Sequence, residues 1–401
     1  MMSLMMLFVI ALVVVPPTAS CFTTPMSMKI KCGLVGLPNV GKSTLFNAIS
    51  QKSLAQAKNF PFCTIEPNIT PIPIPDPNLQ LVAAVGQKCN ALPATITLID
   101  VAGLVRGASR GEGLGNKFLA TVRECDIIIH VVRNYEDDDV IHVDGKVDPV
   151  ADAEVVNLEL LLADLAHIER RLERTTCVGD ERNVLLKVQN GLEEGLNARS
   201  IGLTYEEKHF IKSMGLLTLK PVLYAFNTDE VDFTLNKEET IDQAELFMSQ
   251  IGYCDRETDS YTLVSAKLES EVALLSIDER NAYLESVGVE CTTQLSYHNL
   301  PLLVKDILDL SLAYTGPGVP QERSQTTKTH IVPPRGVKAI ELAGKLHGDI
   351  ERGFIHAEVV DARDMIEYDS YIAAKEDGKV RMEGKDYSIK DNDVVLIKWR
   401  K

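Results

Sequence analysis

The chain has 401 residues, 45% of them hydrophobic and 24% charged, with a formal net charge of −16 at pH 7. That length holds two or three domains with real cores, and the composition excludes disordered and fibrous classes. The acidic balance argues against sequence-blind coating of nucleic acid. The eight cysteines are scattered without a CxxC pair, which argues against a zinc or disulfide framework and reads as reduced thiols.

The first 27 residues stand apart. Met5 to Val15 is an apolar run followed by Pro16-Pro17-Thr18-Ala19-Ser20, the order of a signal-type leader cleaved near Ala19–Cys21. The run is too short to span a bilayer comfortably. Ala19-Ser20-Cys21-Phe22 is similar to the Ala–Phe import motif of algae with complex plastids. Two readings stay open: a plastid-type leader, or translation from Met28 and a cytoplasmic protein. Neither leaves the mature chain stably attached to a membrane.

From Ile30 the pattern alternates strand and helix. Strand candidates are Ile30–Val35, Thr95–Ile99, Ile127–Val132, Pro221–Phe226 and Thr262–Ser265. That rhythm predicts an α/β fold with a mostly parallel sheet. Between the first strand and a helical stretch at 44–49 lies Gly36-Leu37-Pro38-Asn39-Val40-Gly41-Lys42-Ser43, which fits G-x-x-x-x-G-K-[ST]. The glycines let backbone N–H groups turn in on phosphates at a helix N-terminus. Asn39, Val40, Gly41, Lys42, Ser43 and Thr44 are the expected nucleotide contacts. Lys42 reaches the β- and γ-phosphates, and the Ser43 hydroxyl ligates Mg²⁺. Asn39 is also a candidate ligand for a monovalent cation such as K⁺.

Asp100-Val101-Ala102-Gly103 closes the second strand as D-x-x-G. Asp100 is placed to support Mg²⁺ and Gly103 to meet the γ-phosphate, which points to the switch class of P-loop proteins. Thr64, in the loop Asn59–Asn68, is the expected second hydroxyl on Mg²⁺. Leu104 stands where Ras-like switches carry the water-orienting Gln, and leucine can neither donate nor accept a hydrogen bond. Hydrolysis is then slow, or the water is oriented from elsewhere. His130 is the spare general base to test, and Gly107–Lys117 reads as a mobile Gly-rich loop.

The base-reading end is unusual. A guanine-specific site carries N-K-x-D, whose Asp accepts two hydrogen bonds from the base. Here the strand Pro221–Phe226 runs into Asn227-Thr228-Asp229-Glu230, without the Lys and with Glu in fourth place. Displacing a paired polar readout of this kind shifts preference by about 10⁴ or more, so guanine specificity is weakened and adenine is permitted. Ser265-Ala266-Lys267 matches the last base-side loop.

Two further segments lie outside this α/β rhythm. Val155 to Leu172 and Leu185 to Leu196 carry apolar residues at helical spacing around a turn at Cys177-Val178-Gly179-Asp180, which predicts an inserted helical hairpin at about 150–205. A Gly/Pro cluster at 314–320 marks a boundary or loop. Beyond it a strand at Thr329–Val332, a helix from Val337 to Ile350 and short strands ending in Val394–Trp399 read as a small α+β module.

Taken together, the stretches Lys31–Asn47, Asn59–Asn68, Asp100–Phe118, Asn227–Glu230, Ser265–Glu271, Gly353-Phe354-Ile355 and Glu383–Tyr387 resemble the Obg-like ATPase (YchF) family from about Met28 to the C-terminus. The resemblance implies a G domain at 28–290 with the hairpin inserted, and a TGS domain at 312–399. It implies a Mg²⁺-dependent enzyme that prefers ATP and uses GTP less well; the chain is expected to act as a monomer. It implies binding to the ribosome or its large subunit, with a role in translation or stress responses. In the family, backbone at the Thr228 position meets the base, so Asn227, Thr228, Glu230, Ser265 and Ala266 are the expected base contacts. Threonine at 228 departs from the expected Met, Leu or Val. The alternatives are a GTP-preferring translational GTPase and a scaffold stabilised by bound nucleotide.

Overall fold

The computed structural model describes residues 30–57, 68–85, 90–101, 114–137, 146–252, 255, 258–289, 295–316 and 326–400. The first layer is a six-stranded sheet in the order β2-β4-β1-β5-β6-β7. Its strands are β1 (Ile30–Val35), β2 (Ile69–Pro73), β4 (Thr95–Asp100), β5 (Ile127–Arg133), β6 (Val222–Asn227) and β7 (Ser260–Val264). All neighbouring pairs are parallel except β2 with β4. Every residue of β5 and β6 is buried, as expected for central parallel strands covered on both faces. The edge strand β2 instead alternates, and carries Pro71 and Pro73 where an unpaired side tolerates a missing donor.

Helix α1 (Lys42–Ala57) follows β1 and packs with α9 (Ala266–Ala273) and α11 (Ser296–Ile307). The helix α4 (Pro149–Leu172) packs with β5 and with α8 (Lys237–Gln250). One contiguous apolar core joins these helices to the sheet. α11 lies past residue 290 yet belongs to this body.

The inserted hairpin is present between β5 and β6. α4 starts at Asp148, whose carboxylate accepts the Ala151 N–H at 3.1 Å, with Pro149 as the first helical residue. α5 (Gly179–Glu193) returns beside it. The turn closes earlier than the sequence predicts, because Gly179 and Asp180 already lie in α5. Arg171 grips Glu181 with two bonds, 2.8 and 2.7 Å, which ties the two helices near that turn. The unit also extends past 205. Ile211 of α6 (Tyr205–Ile211), Met214 and Leu216 share a separate core with Ile168, Leu185 and Val188.

The second sheet has the order β11-β10-β12-β8-β9-β3. Its strands are β3 (Asn90–Leu92), β8 (Ser311–Thr315), β9 (Thr326–Val332), β10 (Phe354–Asp361), β11 (Arg381–Glu383) and β12 (Asp393–Trp399). The Gly/Pro cluster starts in the last two residues of β8 and falls between β8 and β9, two paired strands of one sheet, with residues 317–320 outside the described residues. The expected helix 337–350 is two helices, α12 (Ala339–Leu346) and α13 (Gly348–Arg352), separated by extended backbone at His347 (φ −167°, ψ 143°). One segment crosses between the bodies. β3 pairs in parallel with β9, and α2 (Pro77–Ala84) packs on the same module, so α2 and β3 join the C-terminal core although β2 and β4 on either side belong to the first sheet.

Cys32, Cys125 and Cys177 are buried free thiols. Among the described residues no helix is long and apolar enough to cross a membrane.

Candidate functional site

The loop 36–41 runs from the buried end of β1 into the N-terminus of α1. Gly36 is required by close approach, since a Cβ there would lie 2.6 Å from the Val131 carbonyl oxygen. Gly41 is required twice over. Its φ is +89°, and a Cβ would overlap the Asn227 side-chain nitrogen. Asn39 also takes left-handed backbone (φ 64°) and is exposed. The first helical bond runs from the Leu45 N–H to the Gly41 carbonyl at 2.9 Å. The N–H groups ahead of it have no intrahelical acceptor and so suit an anion.

Three side chains meet at the head of this helix. Lys42 Nζ pairs with Asp100 Oδ1 at 2.8 Å, and Ser43 Oγ donates to Asp100 Oδ2 at 3.0 Å. The sheet register creates this meeting, because Asp100 pairs with Leu34 one strand over from the loop. In this arrangement Asp100 holds the amine and hydroxyl that phosphate and metal otherwise claim. A hydroxyl and a carboxylate within 3.0 Å of each other are hard oxygen donors, the set that Mg²⁺ takes. Thr64, Gly103 and Leu104 lie outside the described residues. Of the expected loop Gly107–Lys117, the last four residues are not loop but the first turn of α3 (Leu114–Arg123).

The base-side loops are locked together by Asn227. Its Nδ2 donates to the Val40 carbonyl at 2.9 Å and its Oδ1 accepts the Ala266 N–H at 3.0 Å. One buried amide thus joins the phosphate loop to the end of β6 and the start of α9. Thr228 is buried beside it. Its N–H is already spent on the Val264 carbonyl at 2.9 Å, so among the described residues its backbone has only a carbonyl left to offer a base. Ser265 is fully buried and its hydroxyl has no partner among the described residues. Such an orphan is costly in a folded chain.

Glu230 is turned to a partner of its own. It opens α7 (Glu230–Thr234), capped by Asp229, and its Oε1 accepts from the Tyr283 hydroxyl at 3.2 Å. Tyr283 sits on α10 (Ile277–Ser286). Its hydroxyl also lies 3.0 Å from Glu271 Oε2, and desolvation, with the two carboxylates beside it, pushes its pKa up to about 12. Nothing in the local sequence around Asn227–Glu230 signals this tie, which spans 53 positions.

His130 does not fit the role of general base. It is buried in the middle of β5, its ring 5.4 Å from that of Tyr224. The Tyr224 hydroxyl takes a bond from Asn157 of α4, so this pair faces the α4 layer while the phosphate loop feeds α1. Burial pushes the imidazole down to about 3, too weak to take a proton efficiently near neutral pH.

A family profile described as "50S ribosome-binding GTPase" matches residues 31–164, and one described as "Protein of unknown function (DUF933)" matches residues 325–400. The ribosome-binding ATPase YchF of Bacillus subtilis (strain 168) is 40% identical over 385 residues, covering 93% of this chain and 100% of that protein. The protein of that name from Escherichia coli O157:H7 is 42% identical over 377 residues, covering 92% and 98%. Obg-like ATPase 1 of Rattus norvegicus is 34% identical over 400 residues, covering 96% and 95%. Among solved structures, the Schizosaccharomyces pombe YchF GTPase aligns with a TM-score of 0.79 at 30% identity, covering 94% of this chain and 99% of that one. The shared sequence runs through the phosphate loop, the inserted hairpin and the C-terminal module, and the chain belongs to the YchF (Obg-like ATPase) family of P-loop proteins.

Proposed function

We propose that this protein is a ribosome-associated switch that hydrolyses ATP, and GTP less well, with Mg²⁺ bound. The observation that carries the base preference is the engagement of the fourth-position carboxylate by Tyr283. A carboxylate so held is not free to accept the two guanine donors. The Thr228 carbonyl, left over once its N–H is taken by Val264, is an acceptor. It suits the exocyclic amine of adenine and repels the carbonyl oxygen that guanine carries at the same place. Asn227 holds the loops at the right spacing, and Ser265 and Ala266 complete the base side.

At the other end Lys42 binds and orients the β- and γ-phosphates, while Ser43 and Thr64 hold the metal and Asp100 supports it. Magnesium supplies charge neutralisation on the phosphates when bound. Asn39, exposed at the loop crest, is the position for a monovalent cation such as K⁺. ATP would break the Lys42–Asp100 pair and order the Thr64 and Gly103 segments, with the hairpin and the C-terminal TGS-type module relaying that order to the ribosome. The ribosome as partner rests on the printed names of the relatives, and a place in translation or stress responses on the family resemblance alone. With Leu104 in place of Gln, turnover by the free protein is slow.

The test is phosphate release from ATP by the full chain, alone and with ribosomes. Ribosomes are expected to accelerate it, and Lys42→Ala to lower it about a hundredfold or more. A Lys42→Ala chain as active as the parent would overturn the site. Tight ATP binding with no turnover even on ribosomes would make the protein a nucleotide-stabilised scaffold instead.

A further inference from the structure

A second cavity lies at the seam between the two sheets, at the opposite end of β4 from Asp100. Five residues of strand, about 17 Å, separate the two sites. The cavity has a volume of about 180 Å³ and is walled by the connection 93–95, by residues 328–331 of β9, and by Lys345 of α12. At about 30 Å³ per water it holds some six waters, well short of the roughly 300 Å³ of the smallest drug-sized sites. A space of that size fits a small ion.

Its wall defines the charge of that ion. Among the described residues Lys328 and Lys345 are the charged side chains in it, and no described carboxylate lines it. Neither lysine makes an ion pair or hydrogen bond among the described residues. Burial lowers the pKa of Lys345, and Arg335 adds to that; Glu341, one turn back on α12, opposes it. His330 brings no charge. Its Nε2 sits 2.7 Å from Thr315 Oγ1, and burial beside the two lysines pushes it down to about 3. Two cations therefore share a half-enclosed space whose described wall carries no anion, with Glu341 acting on Lys345 from outside that wall, in a chain whose net charge is −16.

The wall also holds an orphan. Thr329 is 2% exposed, lines the cavity, and its hydroxyl has no partner among the described residues. The strand edge is open as well. β3 pairs with β9 only as far as Leu92 with Lys328, so from Thr329 onward the backbone groups on that side meet no strand among the described residues. Unpaired cations and a buried unpaired hydroxyl each carry a desolvation cost that a polyatomic anion with several acceptor oxygens would relieve.

We propose that this cavity binds a small phosphate-class oxyanion, inorganic phosphate or the phosphate of a small monoester, between Lys328, Lys345 and the Thr329 hydroxyl. The bound ion would clamp the C-terminal module to the start of β4, the strand that ends in Asp100.

The experiment uses the full chain with Lys42→Ala, so that the phosphate loop does not compete. Inorganic phosphate and glycerol phosphate are titrated separately by calorimetry at constant ionic strength. One saturable site per chain is expected. Lys345→Gln and Lys328→Gln should each weaken it roughly tenfold to a hundredfold, the range for bonds to charged groups. Thr329→Val should weaken it about two- to tenfold, while leaving the melting temperature of the ligand-free chain unchanged or higher. Saturation by both anions identifies the free ion as sufficient; saturation by glycerol phosphate alone identifies a monoester. No saturable binding of either anion, or undiminished affinity in the Thr329→Val and Lys345→Gln chains, would overturn the proposal.

Discussion

Replacing Asn227 by Asp swaps one atom and isolates what holds the nucleotide loops together. The buried amide makes two bonds, to the Val40 carbonyl at 2.9 Å and from the Ala266 N–H at 3.0 Å. Aspartate keeps the second. It turns the first into an acceptor facing an acceptor, in a place where neither meets water. Leaving one buried carbonyl unsatisfied costs about 1–3 kcal/mol, and more where a charge faces it. Asn227→Ala removes both bonds and strands the Ala266 N–H too, for roughly 2–4 kcal/mol of local stability. Hydrogen exchange followed by mass spectrometry reads this directly on the peptide spanning Val264 to Leu268. In Asn227→Ala the Ala266 amide should exchange about thirty- to several-hundredfold faster, since each 1.4 kcal/mol of opening free energy is a factor of ten. Nucleotide affinity should fall in both variants, because the phosphate loop loses its brace. Unchanged exchange at Ala266 in Asn227→Ala would refute the claim that one side chain couples the three loops.

Other perturbations probe separate parts of the account. Gly41→Ala should abolish nucleotide binding while the rest of the fold survives, since the added Cβ meets Asn227 in backbone at φ +89°; binding by fluorescence titration checks it. Asp259→Ala leaves Arg199 buried without its 2.6 Å partner, and should cost about 3–5 kcal/mol in denaturant unfolding. His130 gives a pH signature. The unfolded chain binds a proton on this imidazole below pH 6.5, and the folded chain refuses it until about pH 3. Its contribution to stability is therefore complete above pH 6.5 and falls as pH drops through that window, by about 2 kcal/mol between pH 7 and pH 5. His130→Leu should remove that component of the acid sensitivity in unfolding midpoints, and leave turnover per folded molecule intact. A loss of turnover of roughly a hundredfold would reinstate it as the base.

Much of the site is legible in the sequence because its parts are local. The phosphate loop, the Asp100 strand end and Asn227 each sit at a strand terminus with a recognisable spacing, and the parallel sheet gathers them. What pairs with them is less visible. Tyr283 reaches Glu230 from another helix, and the inward face of His130 depends on the strand pleat against α4, which a polar residue in an apolar run does not reveal. The C-terminal module hid its sixth strand for a different reason. Asn90–Leu92 is three residues long, too short for any periodicity, and only the paired edge of β9 identifies it. The helix expected at 337–350 breaks at His347, where the sequence has no proline to announce it.

The central claim is that this nucleotide site prefers adenine although its loop belongs to the GTPase class. Competition of ATP and GTP for the full-length protein against one labelled nucleotide, with Mg²⁺ present, tests it most directly. The account predicts tighter binding of ATP, and a shift towards GTP when Tyr283→Phe frees the Glu230 carboxylate. A hundredfold preference of the parent chain for GTP would contradict it.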